Sequence, residues 1–146
     1  MRRIGLMLTV VILSLSLGAV IYFITRSENI YLNQWLSQFN NGKALFFFQH
    51  LFANSQLPDW IIYSLPDGLW MFGLVTIILL LWDFRLNKHS MLWIFLATCT
   101  GIFFEVFQAL GFVRGSFDWT DLLFIVLAAV IPLLFARNKS RLWAAS

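Results

Sequence analysis

Glu105 is the residue around which any chemistry in this chain would be organised. It is the single charged side chain in the run from Met91 to Val113, and an ionisable group at membrane depth is costly enough that it normally faces a protein interior or a wet cavity. Gln108 follows at i+3 and shares its helix face, which Gly101 and Thr98 continue as a small, polar stripe. Arg114, Asp118 and Asp121 lie just beyond, and Asp67 opens a separate apolar run. Carboxylates in such a setting serve as general acids or bases, and a guanidinium holds an anionic group. Each residue also has a purely structural counterpart. Gln108 can hydrogen-bond Glu105 as interhelical glue, the three aspartates can satisfy free N–H groups at helix starts, and Arg114 can contact headgroups.

Other reactive side chains are poorly placed. His50 sits in the apolar segment FFFQHLF, where interfacial packing explains it better than proton transfer. His89 lies among basic residues in a loop, and with Cys99 it makes no nucleophile and base pair. One cysteine excludes an internal disulfide or a cysteine metal cluster. No G-x-S-x-G, H-E-x-x-H, Walker or dinucleotide-binding pattern occurs. Asp67, Glu105, Asp118 and Asp121 are the right type for Mg²⁺ or Ca²⁺, but carboxylates near headgroups are weak evidence, so no metal and no cofactor is assigned.

The elements that must position these residues follow from composition. Of 146 residues, 60% are hydrophobic and 12% charged, with a mean hydropathy of +0.80, against about half and about a quarter in ordinary soluble domains. Seven Trp and sixteen Phe exceed what one water-soluble core of this size would hide. A bilayer is required as solvent. The net charge of +3 does not imply nucleic-acid binding, because the basic residues flank apolar runs and build no interleaved basic and aromatic surface.

Four spans are expected, at about 4–24, 65–82, 91–113 and 119–136, in a single all-α domain covering 1–146. The first is longer than a signal-peptide core and lacks a clean cleavage site, so an uncleaved anchor is expected. Ser64-Leu65-Pro66-Asp67 and Asp118-Trp119-Thr120-Asp121 both resemble a capping residue followed three positions later by a carboxylate. Seven of the ten Lys and Arg (Arg2, Arg3, Arg85, Lys88, Arg137, Lys139 and Arg141) flank the opposite ends. The positive-inside rule then puts both termini in the cytoplasm and the carboxylates outside. Between the first and second spans, a short helical hairpin on the outer face is expected, with segments after Ser27 and over Ala44 to Ala53. Leu-Pro-Asp at 57–59 and again at 65–67 gives two turn signals.

The segment EVFQALGFVRGSFDWTDLL, with Glu105, Gln108, Arg114, Asp118 and Asp121 at the spacing E-x2-Q-x5-R-x3-D-x2-D, resembles the VanZ-like family of small bacterial membrane proteins. Asp67 looks like that family's aspartate at the start of the second span. The lysine and histidine expected after it fall on Gly68 and Met71, and the asparagine and glycine after the last aspartate fall on Ile125 and Ala128. The resemblance implies a multi-pass protein of the bacterial inner membrane and cell envelope, linked in its founding member to teicoplanin resistance, with no established reaction attached.

The expected partner is a membrane lipid or lipid-linked cell-wall precursor whose headgroup is bound or altered at the outer leaflet. In a catalytic version Glu105 and Asp121 form the catalytic pair, Glu105 serving as general acid or base, while Arg114 holds an anionic group, Asp67 and Asp121 orient it, and Gln108 and Asp118 complete the binding set. In the alternative version the same cluster only holds the helices together, in a structural or regulatory protein.

Overall fold

A computed structural model describes residues 2–25, 57–113 and 117–144. Its helices are α1 (Arg2–Thr25), a single turn α2 (Asp59–Ile62), α3 (Ser64–Leu81), α4 (Lys88–Ala109) and α5 (Trp119–Ala144). No strand occurs among the described residues. Four of these helices are long and apolar enough to cross a membrane, over Ile4–Thr25, Ser64–Leu81, Lys88–Ala109 and Trp119–Ala136. The expected outer-face hairpin lies outside the described residues.

Helix α3 is central and touches each of the other three long helices. Its glycines permit this. Gly73 faces the Leu15 side chain of α1 and Gly68 faces Phe124 of α5, while Gly18 of α1 lies under the Trp70 indole of α3. The Ser14 hydroxyl donates to the Leu69 carbonyl at 2.6 Å, a polar link between α1 and α3. Where apolar faces meet lipid, burial of apolar surface offers little preference for helix against helix, so close backbone approach and such hydrogen bonds set the packing. The core joins Met71, Val75, Ile78 and Leu79 of α3 to Ile94 of α4 and Ile125, Ala128, Ala129 and Ala136 of α5. Outward faces carry Leu13, Leu17, Phe95, Phe103, Phe104, Leu127 and Phe135, all exposed, as expected where the surrounding solvent is hydrocarbon.

Helix ends correct several expectations. The third span ends at Ala109 rather than Val113, because the chain closes with Gly111 at φ +74. The Gly111 N–H donates to the Gln108 carbonyl at 3.0 Å and the Phe112 N–H to the Phe107 carbonyl at 2.9 Å. This is a Schellman stop, completed by the edge-to-face contact of Phe107 with Phe112. Its start is earlier than Met91, since Asn87 and Ser90 form a reciprocal capping box with bonds of 2.8 and 3.0 Å. His89 therefore lies in the first turn of α4 and not in a loop.

Ser64 is not a cap. Tyr63 precedes α3 in helical conformation with no side-chain cap, and Ser64 is the first helical residue. The two Leu-Pro-Asp signals are helix starts rather than turns: Pro58 immediately precedes α2, and Pro66 lies in the first turn of α3, where a missing N–H costs nothing. Helix α3 ends in a second Schellman arrangement, with Phe84 N–H to the Leu79 carbonyl at 2.7 Å and Asp83 N–H to that of Leu80 at 3.1 Å. Here Asp83, at φ 50, takes the left-handed position usually given to glycine.

Candidate functional site

Helices α3 and α5 begin, and α4 ends, at the same end of the bundle. Asp67 and Asp121 are therefore in first turns, and Glu105 stands four residues before the end of α4. One carboxylate oxygen from each of Asp67, Glu105 and Asp121 comes within 4.8 Å of the others. The structure thus joins three residues that sequence separates by 38 and 16 positions.

Their environment is enclosed. Glu105 is 4% exposed and Asp121 is 7% exposed, whereas Asp67 is half-buried. Glu105 Oε2 and Asp121 Oδ1 are buried with no hydrogen-bond partner. An unsatisfied buried polar atom is unusual in a folded protein and calls for a physical explanation. Two helix starts converge here, so their partial positive charge faces the carboxylates. That field offsets part of the repulsion among like charges.

An apolar layer lies one turn deeper. The Met71 methyl and the Ile125 side chain come within 3.0 and 3.3 Å of where a Cβ on Gly101 would stand. Met71 and Ile125 follow Asp67 and Asp121 by one turn, and Gly101 precedes Glu105 by one, so an apolar floor lies beneath the carboxylates. Gly68, Met71, Ile125 and Ala128 are all buried.

The remaining candidates divide. Asp118 is exposed and caps α5: its Oδ1 accepts the Thr120 backbone N–H at 2.8 Å. That bond, together with one to the Thr120 hydroxyl, holds the Asp118 carboxyl below its ordinary range. Asp121 was expected to share the capping work, but its buried oxygen is turned inward without a backbone partner. Gln108 is half-buried on the expected face, yet no hydrogen bond joins it to Glu105 among the described residues. Thr98 bonds instead to its own helix, at the Ile94 carbonyl. Arg114 and His50 lie outside the described residues.

Sequence reasoning passed over Ser64. Its hydroxyl is fully buried and has no hydrogen-bond partner, and it sits one turn before Asp67 on the same face of α3. Its apparent role as a cap concealed that.

Comparison of the chain with protein-family models, with curated proteins and with solved structures gives no match.

Proposed function

We propose that this protein is a VanZ-like membrane protein of the bacterial cell envelope that binds, and in a catalytic version modifies, the headgroup of a membrane lipid or lipid-linked cell-wall precursor at the outer leaflet. The observation that supports this is the pair of buried, unpartnered carboxylate oxygens of Glu105 and Asp121 at one end of the bundle. Acceptors of that kind suit the hydroxyl and amide donors of a sugar-bearing headgroup, which would supply the missing hydrogen bonds. The bundle end is also where a headgroup meets a membrane helix. The positive-inside distribution of Arg2, Arg3, Arg85, Lys88, Arg137, Lys139 and Arg141 supports reading that end as the outer one and both termini as cytoplasmic.

In this reading Glu105 and Asp121 accept hydrogen bonds from the headgroup, and one of them moves a proton if the headgroup is altered. Asp67, Asp118 and Gln108 contribute polar contacts at the rim, and Arg114 holds an anionic group.

Native mass spectrometry of the full chain extracted from an envelope membrane tests the reading. Wild-type protein should carry a lipid of defined mass, and Arg114→Gln and Asp121→Asn should lose it while keeping their helicity. Lipid retention by both variants, with full complementation of a deletion, would overturn the proposal. Joint loss of fold and phenotype in both would favour the alternative, a cluster that only holds the helices together.

A further inference from the structure

We infer that Asp67, Glu105 and Asp121 form a binding site for a hard divalent cation of the Ca²⁺ or Mg²⁺ class. Three observations carry this. One oxygen from each residue lies within 4.8 Å of the others. Three oxygens spread evenly around one Ca²⁺ at about 2.4 Å stand about 4 Å apart or less, and around one Mg²⁺ at about 2.1 Å somewhat closer. Separations of up to 4.8 Å therefore reach Ca²⁺ after a small closure and Mg²⁺ after a slightly larger one.

The second observation is the unpartnered state of two of the three donors. Glu105 and Asp121 are each more than nine-tenths buried, and each keeps one carboxylate oxygen without a hydrogen-bond partner. A carboxylate removed from water without a donor or a counter-ion is strongly disfavoured. A divalent ion removes the repulsion and satisfies both oxygens together.

The third is the donor chemistry. All three ligands are carboxylates, with neither histidine nor cysteine in the group, a set that selects Mg²⁺, Ca²⁺ or Mn²⁺ over zinc or copper. The buried Ser64 hydroxyl, one turn from Asp67 and likewise unpartnered, is a neutral oxygen of the same hard type. Three side chains leave coordination positions for water or for headgroup oxygens, since these ions take six or more ligands. The cation site goes beyond the lipid reading and stands without it; with the ion bound, a headgroup would meet the carboxylates through the ion's open positions rather than by donating to them.

The test uses the full chain in detergent, freed of metal by chelating resin and without added lipid. Melting temperature is followed while CaCl₂, MgCl₂ or MnCl₂ is titrated, with NaCl at matched ionic strength as the control. Bound Mn²⁺ is counted by electron paramagnetic resonance. Wild-type protein should show a saturable rise with at least one of the three salts and about one tightly bound Mn²⁺ per chain. Glu105→Gln and Asp121→Asn, close in size to the originals, should lose both signals, and Asp59→Asn, at an exposed carboxylate outside the cluster, should keep them.

The inference is overturned if wild-type protein binds no Mn²⁺ and responds to none of the salts beyond NaCl. It is equally overturned if both variants respond as the wild type does. Should a variant fail to fold, the Mn²⁺ count on wild-type protein and its displacement by Ca²⁺ decide the matter. Because no lipid is present, failure here leaves the headgroup proposal standing, and failure of that proposal leaves the cation site standing.

Discussion

Glu105 on α4 and Asp121 on α5 face each other with carboxylate oxygens within 4.8 Å, and each keeps one buried oxygen without a hydrogen-bond partner. Two helices running in opposite directions meet at this pair, and Asp67 of α3 closes the set. Apolar packing alone would have been served better by leucine at either position, and the proposed binding roles rest on that contrast.

Exchange of the pair measures this directly. Glu105→Leu combined with Asp121→Leu should leave the melting temperature of the metal-free protein unchanged or higher, since buried charges replaced by apolar groups are often neutral or stabilising by about 1–4 kcal/mol. Either single leucine variant should gain less than the double variant, because one carboxylate stays buried without a partner. A large loss of stability in the double variant would mean that the carboxylates hold the bundle together.

Close approach of α1 to α3 at Gly18 gives a packing test. A Cβ there would stand 2.7 Å from Trp70 Nε1 and 2.9 Å from its Cδ1, with the Pro66 carbonyl at 3.2 Å. The indole is rigid and its neighbour is backbone, so Gly18→Ala should cost about 1–3 kcal/mol. Gly5, with nothing within 4 Å of its own Cβ position, should accept alanine with no loss. Thermal melts of both variants in one detergent make the comparison.

Gly111 tests the backbone rather than packing. Nothing lies within 4 Å of a Cβ built on it, but its φ is +74. Gly111→Ala should therefore cost about 1–2 kcal/mol from the left-handed backbone alone, fraying the end of α4 next to Glu105. Hydrogen exchange should speed up at the Gly111 and Phe112 amides, which make the stop, and stay unchanged at the far end of the helix.

The cap at α5 has a pH signature. Hydrogen bonds from Thr120 lower the folded-state pKa of Asp118 below its unfolded value. Its ionised form therefore contributes stability that is fully present above the unfolded carboxylate pKa, about 3.9, and is lost as pH falls through the folded value. Asp118→Asn keeps a capping oxygen but does not titrate. The difference in melting temperature between wild type and Asp118→Asn should be constant near neutrality and shrink below about pH 4. Asp118→Ala should be the less stable variant throughout.

Topology can be read with reporters. Fusions after Asn41 and Gly115 should report the outside, and fusions after Arg85 and Ser146 the cytoplasm. An external carboxy terminus would reverse the face assigned to the carboxylates.

What the sequence determined by itself is local. Four apolar runs of spanning length are a property of consecutive residues, because backbone hydrogen bonding in lipid leaves a helix as the only structure such a run can take. The Asp118 cap was legible for the same reason, as its partner Thr120 is two residues away. So was the inward face of Thr98, Gly101, Glu105 and Gln108, which follows from helical period. The stop at Gly111, one of the two glycines at which this helix is expected to fray, was legible too, since glycine takes positive φ at no cost. Another local signal was present but overlooked: Asn87 and Ser90 stand three apart as a capping box.

Only the tertiary structure decided which polar groups meet. Ser64 and Asp121 looked like terminal residues serving their own helix starts, and sequence spacing contains nothing to contradict that. Their burial depends on how α3, α4 and α5 pack, which is set by glycines against side chains on other helices: Gly68 against Phe124, and Gly101 against Met71 and Ile125. Those contacts draw three helix ends together and turn Asp67, Glu105 and Asp121 toward one point. Hydropathy reports how each helix partitions into lipid, but the neighbour each face takes depends on shape, and shape is expressed only once the helices have packed.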